Sequence, residues 1–335
     1  MSAISLEGKV AVVTGATGGW GSGAAMALAA RGATVVVNAR TRARVEAVAA
    51  FIRESGGKVT GVAHDVSTFE GATRLMNEAI SAHGRIDCLV NAAGVRLTDT
   101  NATDNKGIYG GGLLDMDEAK WRAVMDAELN IIFNCTKAAA KQMVSQGQGG
   151  SVMTVLGNVV GLAGKSAHCA AKAAALSCIN SWADELTPYG ITVNGLGGYV
   201  RSILTDPLFD NGDDSFRTKR ERGTLPLEPA HAGEIVAWLA SQDASDITGR
   251  YLFLDGERAS MWEQRLPEVQ VFREGGWSAE DMAQRFAPIV RRRPASPHFT
   301  DQLMDLFDNR DRGRAANERA EVEALKAGSA AAAAS

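Results

Sequence analysis

Lys9-Val-Ala-Val-Val-Thr14-Gly15-Ala-Thr-Gly-Gly19-Trp-Gly21 decides the architecture of this chain. Its first half, Lys9 to Thr14, is a short Val-rich run of the kind buried on both faces of a parallel sheet. Glycines then make a tight turn. The Ala-rich stretch from Gly19 to Arg31, ended by Gly32, reads as a helix. Strand, glycine turn and helix in that order put backbone N–H groups at a helix N-terminus, where the dipole favours an anion such as a pyrophosphate. Three glycines alone say little; their place at a strand–helix junction gives them meaning.

Working outward, the same alternation repeats. Thr34 to Asn38, Lys58 to His64 and Ile86 to Asn91 read as strands, with helices over Thr41–Ser55 and Phe69–His83 between them. A long helix capped by Asp115 or Asp117 runs to about Gln146. Ser151 to Leu156, Ile191 to Leu196 and Tyr251 to Leu254 complete the strands, with helices at Ser166–Thr187 and Pro229–Ala240. The fold class is therefore α/β: a doubly wound parallel sheet of Rossmann type, one domain over residues 1–256. Two segments break the rhythm. Val95 to Gly112 is a long Thr-, Asn-, Asp- and Gly-rich loop, and Arg201 to Thr224 is charged and irregular, a candidate lid over substrate. From Glu257 charged and apolar residues mix without strand patterning, which predicts a C-terminal helical extension over 257–326. Ser278-Ala-Glu-Asp281 resembles a capping box within it. Residues 327–335, nearly all Ala and Ser, are expected to be disordered.

The chain is 45% hydrophobic over 335 residues, enough for a sizeable core. Its formal net charge of −4 offers no basic field to nucleic acid or to an anionic membrane. No apolar run approaches the roughly 20 residues of a membrane span, and Met1 to Leu6 lacks a signal pattern. A cytoplasmic location is expected. Cys88, Cys135, Cys169 and Cys178 show no paired spacing and read as reduced thiols, three of them in apolar or helical settings. No cluster has metal-ligand spacing, so no metal site is expected.

The spacing Thr14-Gly15-x-x-x-Gly19-x-Gly21 resembles that of the short-chain dehydrogenase/reductase family. His64-Asp65-Val66, Asn91-Ala92-Ala-Gly94 and Val193-Asn194 followed by Gly197-Gly198 resemble further family marks in the same order, and the likeness covers about Leu6 to Asp255. It implies a dinucleotide cofactor held by Gly15, Thr17, Gly19, Trp20 and Gly21. Asp65 and Val66 would stand at the adenine ring, Asn91, Ala92 and Gly94 in the turn after strand four, Lys172 at the ribose and Ser202 near the carboxamide. Family members preferring NAD carry an acidic residue near Ala39. Here strand two ends Asn38-Ala39-Arg40, and a guanidinium suits a 2′-phosphate. NADP(H) is expected ahead of NAD(H).

At the reaction centre the resemblance implies a departure. The family's Tyr-x-x-x-Lys is here His168-Cys-Ala-Ala-Lys172. Its serine maps to Asn158, to Gly157 if the loop is shifted, or to Val155 by counting back from His168. Its asparagine maps to Glu128. Neutral His168 can act as a base in alcohol oxidation. Asn158 can donate to a developing oxyanion. Glu128 can hold His168 or a water, or act as a base. Tyr109 and Tyr199 are candidates for the missing phenol, and Cys169, with basic neighbours, reads either as an activated or as a buried thiol.

Three readings stay open. One is an NADP(H)-dependent oxidoreductase acting on a hydroxyl or carbonyl group. Another is a related lyase, isomerase or dehydratase using His168, Glu128 and Lys172 with retained cofactor. The third is a non-catalytic dinucleotide-binding protein. The resemblance also implies a small-molecule substrate and a homodimer or homotetramer built on the helices beginning near Asp115 and Ser166. Gly276-Trp277-Ser-Ala-Glu280 loosely resembles longer members related to hydroxyacyl-CoA dehydrogenases.

Overall fold

A computed structural model describes residues 4–94, 113–114, 116–157, 165–198, 200, 228–255 and 258–262, together with single positions 279, 282 and 284. The strands are β1 (Val10–Thr14), β2 (Thr34–Ala39), β3 (Lys58–Ala63), β4 (Cys88–Asn91), β5 (Gly150–Val155), β6 (Ile191–Gly198), β7 (Tyr251–Asp255) and β8 (Arg258–Trp262). The helices are α1 (Gly19–Ala30), α2 (Arg42–Glu54), α3 (Phe69–His83), α4 (Glu118–Met125), α5 (Ile131–Gln146), α6 (Ser166–Leu186) and α7 (Pro229–Leu239).

Neighbouring residues of one strand feed opposite cores, as the pleat requires. Val10 and Val12 of β1 join α3, α5 and α6 on one face. Ala11 and Val13 join α1, α2 and α7 on the other. Helices cover both faces, so continuous apolar strands are stable and parallel pairing follows. The sheet order is β3-β2-β1-β4-β5-β6-β7-β8, parallel from β3 to β7. After β1 the chain winds outward to β3 and returns to β4 on β1's other side. That reversal opens a crevice at the carboxyl ends of β1 and β4, where doubly wound sheets bind ligands.

Two expectations are corrected. The helix predicted from a cap at Asp115 or Asp117 to about Gln146 starts from Asp117 and is interrupted by a π turn at Asp126–Asn130 between α4 and α5. Strand patterning does not stop at Glu257: β8 pairs antiparallel with β7, from Tyr251↔Trp262 to Asp255↔Arg258. The β8 alternation is masked because it carries Arg, Ser and Met rather than a Val-rich run. The chain divides into two compact units, Met1–Arg217 with Leu225–Gln264, and Thr218–Thr224 with Arg265–Ser335. The sheet and the site belong to the first. No helix among the described residues is long and apolar enough to cross a membrane.

Candidate active site

The glycine turn is built for close approach. Gly15 has φ +62°, and a Cβ there would lie 2.5 Å from the Ala92 carbonyl oxygen and from Ala93 N, so the turns after β1 and β4 touch at the crevice. Only glycine permits both the angle and the contact. A Cβ at Gly21 would lie 2.3 Å from Gly15 O. The N-terminus of α1 has Gly18 as its cap, no side-chain capping bond and no acidic residue in its first turn. Its amides and dipole are thus left to an anion, which fits the pyrophosphate of a dinucleotide. Thr17 is half-buried in this turn. The Trp20 indole donates to Gly198 O at the end of β6 (3.3 Å), tying the turn to a third strand.

At the other end of the crevice Arg40 is exposed just after β2, and α2 opens with Arg42 and no acidic residue in its first turn. The sequence reading singled out Arg40 and passed over Arg42, whose place in that first turn adds cationic character. Asp65 is exposed, and its Oδ1 accepts from Ser67 N (3.0 Å), holding a turn beside buried Val66. The amide of Asn91 is turned into the sheet's helical layer, donating to Thr136 Oγ1 (2.9 Å) and Thr154 Oγ1 (3.2 Å). This side chain braces β4 against α5 and β5, so its bearing on a cofactor is through the turn it supports. Ala93 N donates to Thr14 Oγ1 (3.3 Å), a second brace between the same two turns.

The structure brings Glu128, His168 and Lys172 together. His168 and Lys172 lie one turn apart on α6 and share a face. Glu128 sits in the π turn, a feature common at functional sites because it changes the register of the side chains that follow. Its Oε2 is 2.5 Å from Lys172 Nζ and 3.6 Å from His168 Nδ1. The side chains of Glu128, Lys172 and His168 are 2%, 9% and 18% exposed, so the charges meet almost out of water. Burial pushes the Glu128 carboxyl up, but the Lys172 ammonium and the His168 ring override it and hold the pKa down at about 2. A Cβ at Gly94 would lie 3.8 Å from Glu128 Oε1, which sets the cluster against the turn after β4.

Asn158, Ser202, Tyr109, Tyr199, the loop 95–112, the lid 201–224 and, apart from Ala279, the segment from 276 to 280 lie outside the described residues, as do 327–335. All four cysteines are free of disulfides. Cys88, Cys135 and Cys169 are buried, and burial pushes the thiols of Cys88 and Cys135 up to about 12. No His, Cys, Asp and Glu grouping among the described residues could hold a metal. Sequence reasoning missed Tyr251, whose hydroxyl donates to Gly157 O at the end of β5. No local pattern could have found this bond, because Gly157 lies 94 residues away in the chain.

A family model described as short chain dehydrogenase matches residues 9–211. The short-chain reductase protein NovJ of Streptomyces niveus is 32% identical over 263 residues, covering 76% of this chain and 95% of NovJ. The 3-oxoacyl-(acyl-carrier-protein) reductase FabG of Vibrio cholerae is 32% identical over 259 residues, covering 76% of this chain and 98% of its own. Among solved structures, a short-chain type dehydrogenase/reductase from Mycobacterium marinum has a TM-score of 0.65 at 29% identity, covering 75% of this chain and 96% of the other. A short chain dehydrogenase from Mycobacterium avium shares the fold with a TM-score of 0.72 at 24% identity, covering 87% and 98%. With this sheet order, this glycine turn and these relatives, the chain belongs to the short-chain dehydrogenase family of NAD(P)-dependent oxidoreductases.

Proposed function

We propose that the chain is an NADP(H)-dependent oxidoreductase acting at a hydroxyl or carbonyl group of a small molecule, with His168 in the place of the family's tyrosine. The observation that carries this is the buried Glu128 carboxylate shared by Lys172 Nζ and His168 Nδ1. With Nδ1 turned to the carboxylate, Nε2 is the nitrogen that handles the substrate proton. In the oxidative direction Nε2 takes the hydroxyl proton, and the imidazolium forms beside Glu128, which stabilises it. In the reductive direction the same imidazolium returns the proton. Lys172 keeps Glu128 ionised through both. The nicotinamide, when bound, accepts or supplies the hydride.

NADP(H) is favoured over NAD(H) by Arg40 and Arg42 beside the end of β2, where a 2′-phosphate would meet guanidinium groups. A cytoplasmic homodimer or homotetramer belongs to the same reading. The assembly is supported by Phe133 of α5, an apolar ring left 43% exposed, which meets Trp182 of α6 at 6.5 Å between ring centroids.

The test is a titration with NADPH and NADH followed through Trp fluorescence, then a panel of secondary alcohols with NADP+, scored for NADPH formation. NADPH is expected to bind more tightly. His168→Phe is expected to keep binding and lose turnover. Undiminished turnover by that variant, or no dinucleotide binding by the native chain, overturns the reading.

A further inference from the structure

We propose that Tyr251 is a positioning residue for the active site. Its phenol, seated in a slot left by Gly195 and Gly197, holds the Gly157 carbonyl and thereby fixes the end of β5. The functional half of this inference rests on the oxidoreductase reading above; the anchoring half does not.

Tyr251 opens β7 and is 2% exposed. Its hydroxyl donates to Gly157 O. Gly157 follows Leu156, whose N still donates to Leu196 O (2.8 Å), and it leaves the strand with φ +74°. A Cβ on Gly157 would meet nothing within 4 Å. One side of this residue is therefore open while its carbonyl is pinned inward. It stands beside the crevice, at the carboxyl end of the strand next to β4, on the chain that leads to His168.

The slot has a matching cost in sequence. β6 is buried along Ile191–Gly197 yet carries Gly195 and Gly197. Glycine inside a strand sacrifices packing and backbone entropy. A Cβ at Gly197 would lie 2.2 Å from the Tyr251 hydroxyl oxygen. One at Gly195 would lie 3.2 Å from Tyr251 Cδ2 and 2.8 Å from Leu156 Cδ1. Alanine at either position would push the phenol or its neighbours. The ring is steadied by Phe253 at 6.3 Å in an edge arrangement and by Trp262 of β8 at 5.8 Å. Ile179, two turns beyond Lys172 on α6, approaches the same spot, 3.4 Å from the Gly195 Cβ position. The phenol thus sits where β5, β6 and α6 meet. Packing alone would be served by phenylalanine. A buried hydroxyl is costly unless bonded, and here it donates to the Gly157 carbonyl.

The decisive variant is Tyr251→Phe in the full chain, which keeps the ring and deletes the bond, with Gly197→Ala as a second route to the same displacement. Amide hydrogen exchange at the end of β5, over residues 154–157, is expected to rise about tenfold, the equilibrium worth of one net hydrogen bond. The NADPH Kd and exchange in β1 and α1 should stay within about twofold. Steady-state turnover per NADPH-binding site, with whichever secondary alcohol the native chain oxidises, should lose about tenfold in kcat with KM little changed; counting enzyme by its titrated cofactor sites removes any loss of folded protein, which would leave kcat per site unaltered. Unaltered exchange in that segment overturns the anchoring. Raised exchange with unaltered kcat overturns the positioning role. If the native chain turns over no alcohol, the oxidoreductase reading is what has failed, and exchange alone still decides whether Tyr251 anchors β5.

Discussion

A lysine ammonium held 9% exposed needs a counter-charge, and Glu128 supplies it. Removing one partner of such a pair strands the other, typically costing about 3–5 kcal/mol, whereas replacing both by apolar groups is often neutral. Glu128→Gln is therefore expected to lower thermal stability sharply, and Glu128→Gln with Lys172→Met to recover most of it. Differential scanning calorimetry of the two variants decides this, and a double variant no better than the single one would refute the pairing. Arg40 makes a separate prediction. Arg40→Ala should weaken NADPH by about tenfold or more, the worth of a charge-assisted hydrogen bond, and leave NADH nearly unaffected. Equal loss for both cofactors would show that Arg40 does not meet the 2′-phosphate. The sequence pointed to His168 and Lys172 through the stretch Ala170–Asn194 that follows, and to Glu128 through Trp121–Glu128 on the preceding helix, and the structure brings the three side chains together. The bond from Tyr251 to Gly157 was not legible, because burial and a partner across two strands leave no local signature.

At the scale of elements, α1 and α7 meet through their backbones. A Cβ on Gly23 would lie 1.9 Å from Pro229 O, and one on Gly233 would lie 2.2 Å from Gly23 O. Gly23→Ala or Gly233→Ala must part the helices, at about 1–3 kcal/mol. Because α1 carries the anion-binding turn at its N-terminus, the shift should also weaken NADPH binding. Urea unfolding and a cofactor titration on the same variant test both, and full retention of stability would mean the crossing is looser than drawn. The strand–helix alternation around this pair was readable because each parallel strand is buried on both faces and each turn carries glycine. Two elements were not readable. The π turn in Asp126–Asn130 differs from α-helix by one residue per turn, and no breaker marks it. β8 lies beyond the usual end of the domain and owes its place to pairing with β7 rather than to its own composition.

Across the whole molecule, two buried carboxylates hold opposite edges of the sheet and make stability depend on acid. Asp87, at the amino end of β4, accepts from Val10 N (2.9 Å) and from Arg85 Nε (2.8 Å), with Lys9 Nζ at 3.4 Å. Burial pushes its carboxyl up, yet Arg85, the Val10 amide and Lys9 together hold it below its ordinary value near 3.8. Glu128, at the carboxyl edge, is held at about 2 against an ordinary value near 4.5. Both pKa values are lowered by folding, so both groups stabilise the fold above pH about 4–5, where the unfolded chain is ionised too. That contribution fades as pH falls from there, and is gone once the folded group itself is protonated. For Glu128 it amounts to about 3 kcal/mol. Urea midpoints should be flat from pH 7 to about 5 and fall steeply below. Asp87→Asn should lie below the native curve at pH 7 and meet it as pH drops through the range of Asp87. Glu128→Gln should start lower and converge only near the pH where Glu128 protonates, about 2. Convergence identifies the lost stability as charge. Curves that stay parallel to that pH would mean instead that the substitutions damage packing, and that neither carboxylate is held in the folded state by the cations around it.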